Sequence, residues 1–335
     1  MKLTNSLIDK NISCLPIWFM RQAGRYLPEF QKIRSINPNF IKLCLNSDLS
    51  SEITLQPIKR FNLDAAIIFS DILMVPYGLG QEVEFKKNAG PILSKFNINT
   101  FLTNNEITFK KKLNPVYEAI KKTRQKLEKN KSLISFIGAP WTLIVYMLGL
   151  KQGKNILNKE LLEKKKEEIN LILKELEKFL CLHIKNQIDA GADVVQIFDS
   201  WAGLLEEKYL DDYCIEPNLN IVNFCKLNNI PVICFPKGIN KNYFNFFKRV
   251  KPDGINIDFD LDPEWARKNL EGACIQGGMD PKALLLSEVE MFKVADKYLK
   301  IFKDSPYIFN LGHGLLPQTN PDTVRKLIRF VRERE

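Results

Sequence analysis

Short, nearly uninterrupted apolar runs of strand length recur along the chain, at residues 65–69, 133–137, 194–198, 231–235, 255–257, 273–275 and 307–309. A strand that is apolar at successive positions is buried on both faces, as in a parallel sheet covered by helices. Between several of these runs the apolar residues fall three and four apart instead. The clearest case spans 159–186, where Ile169, Ile172, Leu173, Leu176, Phe179 and Leu180 make one stripe while Lys and Glu fill the opposite face. Its charged run, Lys164-Lys165-Lys166-Glu167-Glu168, reads as a solvated helix surface. Strand and helix alternate over the whole length, which predicts a parallel α/β fold. A single (β/α)8 TIM-type barrel, somewhat distorted, fits best with one strand unplaced, and a doubly wound sheet is the alternative. The polar, Lys/Asn-rich stretch 86–131 interrupts the alternation and reads as an excursion plus one helix. No Gly/Ser-rich or Pro-rich linker and no strong repeat divides the chain, so residues 1–335 are expected to form one domain.

The residues immediately after each apolar run are more informative than the runs themselves. The strands lead into Ser70-Asp71, Gly138-Ala139-Pro140-Trp141-Thr142, Asp199-Ser200-Trp201, Pro236-Lys237-Gly238, Asp258-Phe259-Asp260, Gln276-Gly277-Gly278-Met279-Asp280-Pro281 and Asn310-Leu311-Gly312-His313-Gly314. In a parallel α/β fold these are all C-terminal strand ends and converge on the face where sites are built. Asp280-Pro281 reads simply as a helix start, Asp capping and Pro at the first helical position. Asp71, Ser200 and His313 carry surplus chemistry, though a helix cap or loop hydrogen bond accounts equally well for a carboxylate there. The glycines beside His313 favour a functional role because they permit close approach of backbone to a ligand. A further unusual segment is Ile17-Trp18-Phe19-Met20-Arg21-Gln22-Ala23-Gly24-Arg25-Tyr26-Leu27-Pro28. Arg21 and Arg25 lie four apart, so on a helical turn both guanidinium forks would face one way, suited to carboxylate or phosphate. The competing reading is a solvated helix face.

Composition narrows the function classes. With 45% hydrophobic and 26% charged residues the chain is neither disordered nor a disulfide-stapled miniprotein. Lys+Arg exceed Asp+Glu by 49 to 39, a net charge of +10, which favours an anionic partner: nucleic acid, a membrane surface or a polyacidic small molecule. Seven scattered cysteines without a C-x-x-C pair read as reduced and structural, and only two histidines are present, so a closed metal site is not expected. Cys181-Leu182-His183 sits inside the long helical stripe. Residues 1–14 lack the order of a signal peptide, and the longest apolar stretch, 139–150, is about half of a membrane span, so a cytoplasmic protein is expected. Gly78-Leu79-Gly80 lacks the third glycine and the context of a dinucleotide loop.

Taken together, Arg21 to Pro28, Phe69-Ser70-Asp71-Ile72-Leu73, Gly138-Ala139-Pro140-Trp141-Thr142, Phe198-Asp199-Ser200-Trp201-Ala202-Gly203, Gln276 to Pro281 and Asn310 to Leu315 closely resemble the uroporphyrinogen decarboxylase family of haem biosynthesis. The motifs are spread over essentially the whole chain. The resemblance implies a distorted (β/α)8 barrel, a homodimer, no cofactor, and removal of the four acetate carboxyls of uroporphyrinogen III to give coproporphyrinogen III and CO2. It also implies site roles: Arg21, Gln22, Ala23, Gly24 and Arg25 hold substrate carboxylates, Asp71 faces the pyrrole N–H groups, Tyr146, Ser200 and His313 complete the pocket, and Phe198 offers an apolar wall.

Losing CO2 from an acetate on a pyrrole needs an electron sink, and protonating the adjacent ring carbon provides one. An anionic Asp71 would stabilise the resulting cation, more so as water is excluded. Arg21 is named as the proton donor with its relay left open, since a guanidinium is a poor acid near neutrality; His313 titrates in a better range but is given a binding role. Two rivals differ in class. A cobalamin-dependent methyltransferase would want a His-x-Cys pair near Cys234 to Gly238, where no His occurs. A nucleic-acid-binding protein would show a recognised motif or a basic stripe, and here Glu interrupts the basic runs.

Overall fold

The computed structural model describes residues 1–86, 90–153 and 156–335. Seven parallel strands form one curled sheet: β1 (Ala65–Ile67), β2 (Ser132–Gly138), β3 (Val194–Asp199), β4 (Val232–Pro236), β5 (Gly254–Ile257), β6 (Cys274–Gly277) and β7 (Tyr307–Ile308). Each overlaps one of the seven apolar runs. They lie side by side in chain order, with no reversal, which excludes the doubly wound alternative.

β7 and β1 are not paired with each other, and a segment without regular strand geometry fills the gap. Ile17 bridges Phe309 in parallel. The Phe309 N–H donates to Pro16 O at 2.9 Å, and on the other side the Asp64 N–H donates to Ile17 O at 2.9 Å. Asp64 Oδ2 accepts from the Ile17 N–H at 2.7 Å and from Arg332 Nη2 at 2.5 Å, which ties this seam to the C-terminal helix Pro321–Arg332. The eighth place in the ring is therefore taken by residues just before Arg21. Short, polar-flanked and irregular, this stretch gave no strand signal.

The inside of the ring is layered. At the N-terminal strand ends the helix Lys2–Ile8 acts as a plug, with Leu3 and Leu7 packed among Ala65, Ile134, Val194, Ile233, Cys274 and Ile308. Above them lies a fully buried polar layer. Trp18 Nε1 donates to Gln276 Oε1 at 2.8 Å, and Gln276 Nε2 donates to Asn256 Oδ1 at 2.7 Å and Gln196 Oε1 at 3.2 Å. Buried amides are tolerated when they satisfy one another, and their directional bonds fix the register of the strands that carry them.

Outside the ring the helical expectations hold with changes. The stripe at 159–186 is divided into Lys159–Lys164 and Lys166–Asp189, because Lys165 leaves helical geometry (φ −104°, ψ 12°) inside the charged run. In and just before the 86–131 stretch, Val83–Lys86 pairs antiparallel with Gly90–Leu93, and a short helix Ile98–Leu102 and a long one Glu106–Lys126 follow; residues 87–89 lie outside the described part. Asp280 caps the 3-10 turn Pro281–Leu285 through the Lys282 N–H at 2.9 Å. His183 is a buried core imidazole whose Nδ1 meets Tyr117 Oη at 2.9 Å. Among the described residues no helix is long and apolar enough to cross a membrane.

Candidate active site

The mouth opposite the plug has an apolar floor. Phe198 is half-buried there, edge-on to Phe136 with ring centroids 5.6 Å apart, in the same cluster as Met20, Ile67 and Phe235.

The arginine segment is built differently from the helical turn its spacing suggested. Residues 20–27 form a series of turns, and helix begins only at Pro28. Arg21 has φ +58°, the left-handed region, which costs a side chain with a Cβ roughly 1–2 kcal/mol. Both guanidinium groups are exposed. Among the described residues the N–H groups of Gln22, Ala23, Gly24 and Arg25 have no main-chain acceptor. A left-handed residue followed by free N–H groups is how a backbone forms a concave site for an anion. The backbone, not a shared helix face, is thus what places Arg21 and Arg25 at one rim.

Gln22 requires a correction. Its side chain, 1% exposed, does not point at the cleft: Nε2 donates to Ala65 O at 2.7 Å and Oε1 accepts from the Ile67 N–H at 3.1 Å. The carboxamide imitates a peptide group of the missing strand and sews the seam to β1. Only the main chain of Gln22 is available to a ligand.

Asp71 follows β1 and closes an Asx turn, Oδ1 accepting from the Leu73 N–H at 2.9 Å. Oδ2 has no partner among the described residues. Burial pushes the carboxyl up to about 6, against the opposing pull of the Leu73 N–H and the Arg21 charge. The cap and the functional reading are both satisfied, one oxygen each. The Tyr146 hydroxyl is held above its ordinary range by burial, with the Asp71 and Arg21 charges close enough to act on it in opposite directions.

His313 also departs from expectation. Burial, then the positive charges of Lys237 and Arg21, push it down to about 4. It is neutral at physiological pH and not poised to titrate there. Its Nδ1 accepts from the Gly314 N–H at 2.8 Å, which leaves the ring proton on Nε2 as a donor. The neighbouring glycines are required by the protein's own packing. A Cβ on Gly312 would lie 2.4 Å from Phe259 N, and one on Gly314 would lie 3.1 Å from Arg21 Cβ. They let the His313 loop pack on the chain after β5 and beside Arg21. Ser200, after β3, is half-buried with a hydroxyl that has no partner among the described residues.

Arg21, Asp71, Tyr146 and His313 therefore share one electrostatic neighbourhood. Lys237, at the end of β4, joins it through its effect on His313; its position after a strand was visible, but nothing in a Lys-rich chain marked it out.

The uroporphyrinogen decarboxylase (URO-D) family model matches residues 2–334. The uroporphyrinogen decarboxylase of Rickettsia felis is 41% identical over 338 residues, covering 99% of this chain and 97% of the relative. That of Orientia tsutsugamushi is 40% identical over 336 residues, covering 99% and 98%. Among solved structures, a methyltransferase from Methanosarcina mazei superposes with a TM-score of 0.80 at 14% identity, covering 99% of this chain and 97% of that one, which is a likeness of fold. The motifs at the strand ends, the match over nearly every residue and the identity to these relatives agree: the chain belongs to the uroporphyrinogen decarboxylase family.

Proposed function

We propose that the chain removes the four acetate carboxyls of uroporphyrinogen III as CO2, leaving methyl groups and giving coproporphyrinogen III. The observation that carries this reading is Asp71: a deeply set carboxylate with one unpartnered oxygen, at the mouth of the barrel, beside a cationic rim. With its pKa raised to about 6 it is mostly ionised at pH 7. Protonation of a pyrrole carbon makes the ring an iminium-like cation, into which the electrons of the breaking C–CO2 bond flow; the exocyclic methylene so formed takes a proton and the ring carbon gives up its own, leaving a methyl group on a neutral pyrrole. Asp71 Oδ2, set against the ring nitrogens, stabilises that cation, and the low-dielectric setting that raises its pKa also strengthens this interaction.

The rim supplies binding and orientation. Arg21, Arg25 and the free N–H groups after Arg21 hold carboxylates; Nε2–H of His313, Oγ of Ser200 and Oη of Tyr146 donate hydrogen bonds. Arg21 is the candidate proton donor, placed beside Asp71, with its proton replaced by relay. The residues carry this chemistry without a cofactor in the reading we favour. The family resemblance supports a cytoplasmic homodimer, and one apolar cluster running from Ile17 to Val331 supports a single domain. Anaerobic incubation with uroporphyrinogen III, followed by separation of products by carboxyl number, tests the proposal: hepta-, hexa-, penta- and tetracarboxylic porphyrinogens are expected, and unchanged substrate refutes it.

A further inference from the structure

The geometry points to Asp199 as a positioning residue: through Thr142 its carboxylate holds the backbone of Trp201 and so sets where the Ser200 hydroxyl and the Trp201 indole meet substrate. This rests on the uroporphyrinogen reading above. Asp199 is the last residue of β3 and 1% exposed. Its Oδ1 accepts from Thr142 Oγ1 at 2.6 Å, and its Oδ2 accepts from Asn218 Nδ2 at 3.3 Å, with the Cys214 thiol as a third neighbour. Thr142 Oγ1 in turn accepts from the Trp201 N–H at 3.1 Å, while Trp141 Nε1 donates to Trp201 O at 3.0 Å. Both main-chain polar groups of Trp201 are thereby fixed by side chains. The main-chain oxygen of Asp199 accepts from the Lys237 N–H at 3.1 Å, which joins the ends of β3 and β4.

Fold stability alone does not call for this arrangement. A carboxylate in a dry site with only neutral donors is costly, and burial raises its pKa accordingly. What the charge supplies is direction. A strong acceptor commits the Thr142 proton to itself, leaving the hydroxyl lone pair for the Trp201 N–H. The helix behind is shaped to the same end: Asp211–Ile215 is a π turn, and it brings Cys214 and, four residues on, Asn218 onto one carboxylate. Such single π turns occur frequently at functional sites.

The wall held in this way has donors left over. Among the described residues Ser200 Oγ has no partner, and Trp201 Nε1 is buried without an acceptor in full hydrogen-bond geometry, though the indole lies close enough to the Tyr146 hydroxyl to favour its ionised form. Tyr146 stands edge-on to the Trp201 ring at 5.9 Å, and Lys151 Nζ lies 3.6 Å from the ring centroid on its face. A shift of the Trp201 backbone would move Ser200 and the indole together and change how the indole meets Tyr146 and Lys151.

Thr142→Val keeps the shape and removes the hydroxyl; Thr142→Ser keeps the hydroxyl. With uroporphyrinogen III as substrate, well below the melting temperature, Thr142→Val is expected to raise KM about tenfold while kcat changes less than threefold, and Thr142→Ser to stay within twofold of wild type. Asp199→Asn, which turns an amide N–H2 toward Asn218, is read in parallel and is expected to raise KM likewise. On a Ser200→Ala background, Thr142→Val should raise KM by clearly less than its full tenfold, since one of the two groups it positions is gone. A wild-type KM in Thr142→Val and Asp199→Asn with only a lowered melting temperature overturns the positioning role, as does full multiplication of the Ser200→Ala and Thr142→Val effects. No turnover by the wild-type chain overturns the functional reading itself, and this inference with it.

Discussion

Asp71→Asn should separate activity from stability in opposite directions. The carboxyl is raised from 3.8 to about 6, chiefly by burial. The unfolded chain ionises near pH 4 and the folded one near pH 6, so folding stability attributable to this group falls as pH rises through that window and is level above it. Two units correspond to about 3 kcal/mol; because the residue borders an open cleft, about 1–2 kcal/mol is the working figure. An unfolding entropy of about 2 cal/mol/K per residue over 335 residues gives about 0.7 kcal/mol/K. The Asn variant is therefore expected to melt about 1–3 °C above wild type at pH 8 and level with it at pH 4, by calorimetry on the unliganded protein. Its kcat should fall at least about 10²-fold, the range for a lost electrostatic stabiliser. In the wild type, the acid limb of kcat/KM should fall near pH 6, activity declining as Asp71 takes up its proton, and the Asn variant should lack it. Turnover within threefold of wild type would refute the cation-stabilising role, and an Asn variant less stable at pH 8 would refute the desolvation argument.

Three further substitutions discriminate among the other roles. Arg25→Ala should raise KM for uroporphyrinogen about tenfold or more with an unchanged melting curve, because its guanidinium is exposed and touches no acidic partner among the described residues; an unchanged KM counts against the clamp. Gln22→Ala leaves Ala65 O and the Ile67 N–H buried without partners, an expected loss of about 2–5 kcal/mol in denaturant unfolding, and a variant as stable as wild type would show that the seam does not need this amide. Gly312→Ala places a Cβ 2.4 Å from Phe259 N, so the His313 loop must move: a lowered melting temperature together with weakened substrate binding is expected, and wild-type values for both would show that the loop has room to spare.

The strands were legible because burial on both faces forces apolar runs, and the candidate-site face stood out because most of the polar residues gather where those runs end. The gaps in that reading have one physical source. Ile17 to Met20 completes the ring without strand periodicity, since it is held by single main-chain bonds and by the Gln22 side chain, and a glutamine replacing a strand leaves no pattern in hydropathy. The polar layer was hidden for a similar reason: Gln196 and Asn256 each stand alone in an apolar run, Gln276 heads a motif read for its strand-end position, and only their meeting in space satisfies them. The arginine spacing misled about geometry, because i,i+4 proximity presumes a helix that the left-handed Arg21 precludes.

Asp71 and Asp199 show why the environment of a group must be read beyond its acidity. Burial brings both carboxyls to about 6. In Asp199 both oxygens are committed, to Thr142 and Asn218, and the residue is sealed at 1% exposure. Its charge can act only on what already touches it, so its influence is passed along a hydroxyl to a backbone. In Asp71 one oxygen is committed to Leu73 and the other is not, and the residue reaches the mouth of the barrel. Its charge is available to something that arrives. The same desolvation therefore yields a fixed strut in one case and a poised counter-ion in the other, and the difference lies in a single unmet lone pair. Filling it from within the protein, with a donor at position 146 longer than tyrosine such as Tyr146→Arg, should lower the Asp71 pKa and bring the acid limb of kcat/KM down from near 6. Turnover should fall with it, since a carboxylate already paired stabilises an incoming cation less. A variant whose limb moves while kcat is retained would show that the free oxygen is not what the reaction uses.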